Sequence, residues 1–281
     1  MFNQNIKSPV NIPVSKIHPF EGNPYKVLDN DEMNTLICSI QEQGILTPII
    51  IRPIENTDEY EVISGHRRLH ATVKAGMKEV PAFIYAVTRD EAAIMLVDSN
   101  LHREHILPSE KAFAYKLKLE AMKHQGITCG QVGHKSRDEI SDTDSGRQIQ
   151  RYIRLTYLIP ELLDLVDEEK IALTPAVELS YLTDEEQYAL LGAIEVEDRT
   201  PSLSQAVRFK KLSQTGNLSD DDIETIMQED KANQKPMFKV SMEKLQKVAP
   251  KVKDKNFEDF VLKACEHYYK YLQRQRNRDA R

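Results

Sequence analysis

Every strand-like segment of this chain lies before residue 88, and beyond Leu107-Pro108 every apolar repeat has helical spacing. That asymmetry is the strongest constraint on its fold, because a sheet must then be completed within about the first hundred residues and the remainder must pack helix on helix. From Asp31, the apolar residues Met33, Leu36, Ile37 and Ile40 fall on one helical face, with Gly44 as a stop. Pro48-Ile49-Ile50-Ile51-Arg52 reads as a buried strand, and Glu59-Tyr60-Glu61-Val62-Ile63 alternates as a half-exposed one, with Glu55-Asn56-Thr57-Asp58 turning between them. After Ser64-Gly65 the spacing becomes helical through Leu69, Thr72 and Val73 to Gly76; Val80 to Val87 is a strand and Arg89 to Leu101 a helix. Residues 15–105 therefore form an α+β domain. Residues 1–14, polar and carrying Pro9 and Pro13, read as a flexible lead-in.

In the helical part, Ser109 is placed to cap a helix whose packed face is Ala112, Phe113, Leu117, Leu119 and Met122. A polar stretch from Gly126 to Asp144 follows, then a helix from Arg147 to Ile159, halted by Pro160. Residues 161–193 hold two more helical segments divided near Thr174-Pro175, and Thr215 to Asp222 leads into another short helix. Residues 106–230 are thus an all-α domain. Residues 230–237 read as a linker, and 231–281 as a basic helical module in which Phe260, Val261, Ala264, Tyr268, Tyr271 and Leu272 recur at helical spacing.

Charge sharpens this division. The net charge of -6 argues against nucleic acid as a partner, but residues 231–281 hold 14 Lys+Arg against 6 Asp+Glu, while residues 161–199 hold 12 acids against Lys170 and Arg199. Basic and acidic surfaces are segregated along the chain. No apolar run approaches the roughly 18 residues of a membrane helix, and Cys38, Cys129 and Cys265 are too scattered for a disulfide framework or zinc knuckle. A cytoplasmic protein is expected. Cys38 falls near the apolar stripe of the first helix and is expected in the core.

Two motifs carry chemistry. At Ser64-Gly65-His66-Arg67-Arg68, a strand ends and a helix begins. Free N–H groups at a helix start favour an anion, glycine permits close backbone approach, and guanidinium groups bind phosphate through two bonds. The turn reads as an oligophosphate site, with surface ion pairs as the alternative for Arg67 and Arg68. His66, His70, His102 and His105 have no cysteine or carboxylate cluster at ligand spacing, which argues against metal. Farther on, Arg147, Gln150, Arg151 and Arg154 share one helical arc while Ile149, Tyr152 and Ile153 lie opposite, with Ser145 or Thr143 as a cap. Arginine pairs with guanine or phosphate and glutamine with adenine, so this arc has the chemistry of a major-groove reader; a solvated surface helix is the alternative.

Three boxes resemble the ParB family of plasmid and chromosome partition proteins. Gly65-His66-Arg67-Arg68-Leu69-His70-Ala71 is similar to its Gly-Glu-Arg-Arg-x-x-Ala box; Ser39-Ile40 through Gly44-Ile45-Leu46-Thr47-Pro48 to Arg52 resembles a second; Asn100-Leu101-His102-Arg103 through Leu107, Glu110 and Ala112 resembles a third. The resemblance implies a ParB/sulfiredoxin-like nucleotide-binding fold, with CTP and magnesium as cofactors and a DNA-gated clamp as the mechanism. On it, Gly44, Ile45, Thr47 and Pro48 would line the cytidine pocket. Ser64, Gly65, His66, Arg67 and Arg68 would hold the phosphates, Asn100 would serve Mg, and Arg103 would contact phosphate again. His66 and Ser99 stand where the family usually has glutamate, which removes two candidate water-positioning carboxylates and implies nucleotide binding with at most a weak CTPase activity. Sulfiredoxin-type reduction is disfavoured because Gly65 stands where that enzyme's cysteine would.

Gln148-Ile149-Gln150-Arg151-Tyr152-Ile153-Arg154-Leu155, with Leu158-Ile159-Pro160-Glu161-Leu162 after it, resembles the recognition helix of the ParB helix-turn-helix. It implies double-stranded DNA binding by Arg147, Gln148, Gln150, Arg151 and Arg154, with Lys135 and Arg137 adding phosphate contacts. The resemblance further implies a homodimer, a ParA-type ATPase as a partner, and a nucleoid- or plasmid-associated location on a chromosome, plasmid or mobile element. The lead-in lacks the Leu-Gly-x-Gly-Leu motif of chromosomal relatives. A DNA-binding transcriptional or mobile-element regulator without nucleotide turnover is the leading alternative, and a ParB-like kinase or nuclease shares the phosphate site.

Overall fold

Val or Ile recurs in every segment that pairs into the sheet, where a branched side chain fits a pleated surface covered on both sides. The computed structural model describes residues 8–101, 103, 105–125, 144–229 and 257–279. Among these, the strands are β1 (Val10–Pro13), β2 (Ile17–His18), β3 (Ile49–Pro53), β4 (Tyr60–Ser64) and β5 (Glu79–Ile84). They form one sheet in the order β1-β5-β3-β4-β2. β3 lies antiparallel to β4, with Ile51 opposite Val62 and Arg52 opposite Glu61, and parallel to β5.

The helices interleaved with these strands are α1 (Asp31–Gln43), α2 (His66–Lys74) and α3 (Arg89–Asn100). Asn30 caps α1 by accepting from the Met33 N–H, and a reciprocal Thr88–Glu91 box caps α3. Ile49, Ile51, Val62, Val80 and Ala82 pack with Leu69 of α2 on one side of the sheet. Ile63 points to the other, against Ala92, Leu96 and Val97 of α3.

Several sequence expectations change here. The lead-in contains β1, whose Ile12 is buried and pairs with Val80 of β5; four residues bounded by prolines were too short to announce a strand, yet prolines suit a sheet edge. β4 is not half-exposed. It is flanked by both β3 and β2, and Glu61 is 6% exposed, meeting Arg52 (7%) through Nε at 2.8 Å and Nη2 at 2.7 Å, while its other oxygen accepts from the Glu21 N–H at 3.0 Å. Every polar atom of this buried pair that needs a partner has one, which is the condition for tolerating it. Cys38 lies on the solvent side of α1, not in its stripe.

The helical part comprises α4 (Pro108–His124), α5 (Gly146–Arg154), α6 (Pro160–Asp167), α7 (Leu173–Leu179), α8 (Asp184–Glu197), α9 (Leu203–Gln214) and α10 (Asp220–Gln228). Its core gathers Leu155, Leu162, Leu179, Leu190, Phe209 and Met227. Three helices occupy 160–197 where two were expected, because Pro175 sits in the first turn of α7, where its missing N–H costs nothing. Ser109 does not cap α4; its N–H and hydroxyl instead bind the Asp167 carboxylate of α6, at 2.9 and 2.5 Å. Phe113 is 41% exposed while Ala114, Tyr115 and Lys118 are buried, since α4 is packed on more than one side.

Residues 1–229 make one compact unit and 230–281 a second. The expected division near 105 falls inside a shared core, in which Ala114 and Ala121 of α4 join Ala92 and Leu96 of α3. The second unit contains α11 (Phe257–Asp279), along which Leu262, Tyr268 and Tyr269 are exposed and Tyr268 stacks on Tyr271 at 6.3 Å. The polar stretch 126–143, with Thr143, and the expected linker lie outside the described residues. No described helix is long and apolar enough to cross a membrane.

Candidate functional site

β4 runs into α2 through the single residue Gly65, whose φ is +101°. A Cβ there would stand 2.8 Å from Ile49 Cγ2 and 3.1 Å from Arg68 Nη2, so backbone angle and space both require glycine. No side chain caps α2, which leaves its first N–H groups for an external acceptor. The turn forms part of a cleft of about 320 Å³ lined by Ser64 to Arg68, by Ser99 and Asn100 at the end of α3 and Arg103 just beyond it, by Asn23, Tyr25, Lys26 and Val27, and by Leu36 of α1.

The arginines of the cleft are held differently. Arg68 Nη1 donates to the carbonyls of Thr47 and, at 2.7 Å, of Pro48, and burial lowers its pKa. It is an anchored cation that ties the turn to the segment before β3. Arg67 is half-buried, with its side chain 39% exposed, and reaches Glu32 at 3.1 Å, and Arg103 lies 5.6 Å above the Tyr25 ring. Asn100 Nδ2 donates to the Leu96 carbonyl at 2.8 Å and the Ser99 hydroxyl at 3.2 Å, so its Oδ1 has no donor among the described residues. His66 Nε2 accepts from the Phe20 N–H at 3.4 Å, and burial pushes its pKa down to about 4, against Glu61 and with help from Arg103. It is neutral at pH 7.

The cleft thus brings together Ser64, Gly65, His66, Arg67, Arg68, Asn100 and Arg103, all expected from the sequence. Gly44, Ile45, Thr47 and Pro48 are not among its lining residues. Gly44 ends α1 at φ +71°, Ile45 packs against the sheet, and the Thr47 and Pro48 carbonyls meet the site through Arg68. The sequence missed Asn23, Tyr25, Lys26, Val27 and Leu36. Leu36 was read as core, and the others belong to an aperiodic loop whose only signal was its Asn-Pro-Tyr turn chemistry.

A polyanion with a base fits this donor set. Backbone N–H groups, the Arg67 and Arg103 guanidiniums and Lys26 can donate to phosphate oxygens, and Asn100 Oδ1 is a hard ligand of the kind magnesium takes when phosphates supply the rest. Among the described residues no group of three or more His, Cys, Asp or Glu side chains is placed to hold a metal alone.

On α5, Ser145 Oγ accepts from the Gln148 N–H at 3.3 Å, and fully buried Ile149 packs with Tyr115 and Met122 of α4. Arg147 is exposed, and neither it nor Gln150 has a side-chain partner among the described residues. Arg151 donates to Thr174 Oγ1 at 2.6 Å and Gln148 Oε1 at 3.3 Å. Arg154 is engaged within the chain: Nε donates to Ser180 Oγ at 3.0 Å, Nη2 to the Ser180 carbonyl at 2.7 Å, and its carbon lies 4.5 and 3.9 Å from the Tyr157 and Tyr181 rings. A guanidinium committed in this way fastens α5 to the end of α7. Lys135 and Arg137 lie outside the described residues.

Residues 3–101 match the ParB N-terminal domain family. The chromosome-partitioning protein Spo0J of Thermus thermophilus is 33% identical over 58% of this chain and 56% of its own length, and a nucleoid occlusion protein of Listeria monocytogenes is 33% identical over 47% and 45%. The chain spans about half the length of these curated relatives. C-terminally truncated ParB from Caulobacter crescentus is similar in two crystal structures. The complex with CTP-gamma-S has 22% identity over 67% of this chain and 99% of that one, with a TM-score of 0.33; the complex with the centromeric parS site has 19% over 78% and 98%, with a TM-score of 0.42. It is over residues 3–101, the region that carries the glycine turn, that the chain is similar to the ParB N-terminal domain family.

Proposed function

We propose that the chain is a ParB-like DNA-binding protein of chromosome or plasmid partition, in which residues 15–105 bind CTP with magnesium, residues 106–230 read DNA, and residues 231–281 pair two copies. The observation that carries the nucleotide reading is Gly65: a left-handed glycine with no room for a side chain opens the uncapped start of α2 onto a cleft containing Arg67, Arg68, Lys26 and Arg103. Arg67 and Arg103 are the cations available to phosphate oxygens, Arg68 holds the turn in shape, and Asn100 Oδ1 would serve as a ligand to magnesium. Magnesium, when bound, neutralises charge on those phosphates.

Nucleotide occupancy would draw two N-terminal domains together around DNA that α5 has selected. Arg147 and Gln150 offer the free base-reading groups, with Arg151 beside them. Neither His66, neutral at pH 7, nor Ser99, whose hydroxyl donates to the Leu96 carbonyl at 3.0 Å, supplies a carboxylate to position water. The design favours binding over fast turnover. The test is calorimetry with CTP and magnesium: binding that Arg67→Ala abolishes supports the reading, and no binding by the unaltered chain sinks it.

A second reading is favoured by that same lack of carboxylates and by the nucleoid occlusion relatives: a DNA-bound regulator that holds nucleotide without hydrolysing it. Capture of a ParA-type ATPase by the full chain would favour the partition reading over the regulator.

A further inference from the structure

Lys26 belongs to the segment joining β2 to α1 and lines the cleft beside the arginines. Its main chain is fixed, because its N–H donates to Glu110 Oε1 of α4 at 2.9 Å. Its ammonium is not. Nζ lies 3.6 Å from Asp164 Oδ1 and 3.8 Å from Asp167 Oδ2, both on α6, and these are charge contacts longer than a formed hydrogen bond.

The two acids differ. Asp167 is 8% exposed and already accepts two hydrogen bonds from Ser109, so its carboxylate is satisfied without Lys26. Asp164 is 64% exposed and has Lys26 as its one ion-pair partner among the described residues. One end of this contact is therefore a wall of the anion cleft, and the other is a helix of the region that carries α5.

We propose that Lys26 exchanges its ammonium between Asp164 and the outer phosphates of a nucleotide in the cleft, so that occupancy removes a charge contact from α6. This rests on the phosphate-site reading above. In the absence of an anion, Arg67, Arg68 and Arg103 repel a further cation, and Asp164 offers the nearest negative charge outside the cluster. A bound triphosphate reverses that field with several charges, whereas a half-exposed pair at 3.6 Å is screened and weak. The flexible four-carbon stem of lysine permits the swing while the backbone stays anchored.

A double-mutant cycle on the full chain tests this, using calorimetry with magnesium-CTP and magnesium-tripolyphosphate as probes. Lys26→Met should weaken both probes about 10-fold, and Lys26→Arg should retain most of the affinity. Asp164→Asn should strengthen both roughly 2- to 5-fold by removing the competitor. That gain should vanish when Lys26 is methionine. Thermal midpoints equal to the unaltered chain would show that both positions leave the fold intact. Unchanged affinity in Lys26→Met, or a gain from Asp164→Asn that survives without Lys26, overturns the exchange. If the unaltered chain binds neither probe, the phosphate-site reading falls and the exchange falls with it. If it binds and Arg67→Ala abolishes binding while the Lys26 variants do not, the exchange alone falls.

Discussion

The turn before α2 and the exposed face of α5 each present several arginines, and in each place the structure divides them into anchored and available ones. Arg68 is fixed by the Thr47 and Pro48 carbonyls, whereas Arg67 is half-buried beside Glu32. Arg154 is fixed by Ser180 and two tyrosine rings, whereas Arg147 has no partner among the described residues. The anchored members differ in what they hold. Arg68 shapes a concave site from within, by closing over a glycine that has no side chain in its way; Arg154 fixes a convex element from behind, by tying its last turn to a neighbouring helix. In both places the carbonyls nearby decide which guanidinium is anchored and which is left available.

The most damaging way to disturb this comparison is at the concave site. Gly65→Ala should cost about 3 kcal/mol, because it forces an L-residue to φ +101° with its Cβ 2.8 Å from Ile49. Denaturant unfolding would read the loss, and nucleotide affinity should fall with it. On the convex side, Arg154→Ala should cost about 2 kcal/mol, since two hydrogen bonds and two ring contacts go together. If its unfolding free energy matched the parent and DNA affinity alone fell, Arg154 would be a reader after all.

Acid separates the two regions next. His66 has its pKa depressed to about 4 from an unfolded value near 6.5, so the folded chain binds fewer protons between those values and stability falls as pH drops through that window. His66→Gln should flatten this slope, by on the order of 2 kcal/mol over the window; unfolding curves at pH 4.5 and 7.5 would show it. The smallest stability effects belong to the available arginines. Arg67→Ala and Arg147→Ala should each shift unfolding by less than about 0.5 kcal/mol, yet the first should abolish nucleotide binding and the second should weaken DNA binding roughly 10-fold.

Which parts were legible in the sequence follows from range. The glycine turn and the helix starts at Asp31 and Arg89 are written in neighbouring residues and stand where spacing placed them, whereas the helix expected from Arg147 to Ile159 ends at Arg154 and gives way to a 3-10 turn over Leu155–Tyr157. The cage of Arg154 was not legible, because Ser180 and Tyr181 reach it only after α7 folds back across the intervening residues. Lys26 and Asn23 were missed for a related reason: a loop has no period, so nothing in its spacing says which way it faces. Phe113 and β4 erred in the opposite direction, since a wheel or an alternation counts one packed face and both elements have neighbours on more than one side.

β1 has a practical consequence for anyone trimming this chain. Val10 to Pro13 read as part of a flexible lead-in, yet they occupy the outer edge of β5 in register from Ala82 to Glu79. Fusions placed before residue 9 leave that seal alone. A truncation that removes it uncovers a row of unpaired amides and carbonyls alongside Val80, a ready template for a second molecule to add its own strand. A shortened protein that aggregates would then be reporting an unsealed sheet margin, with its ligand chemistry still intact.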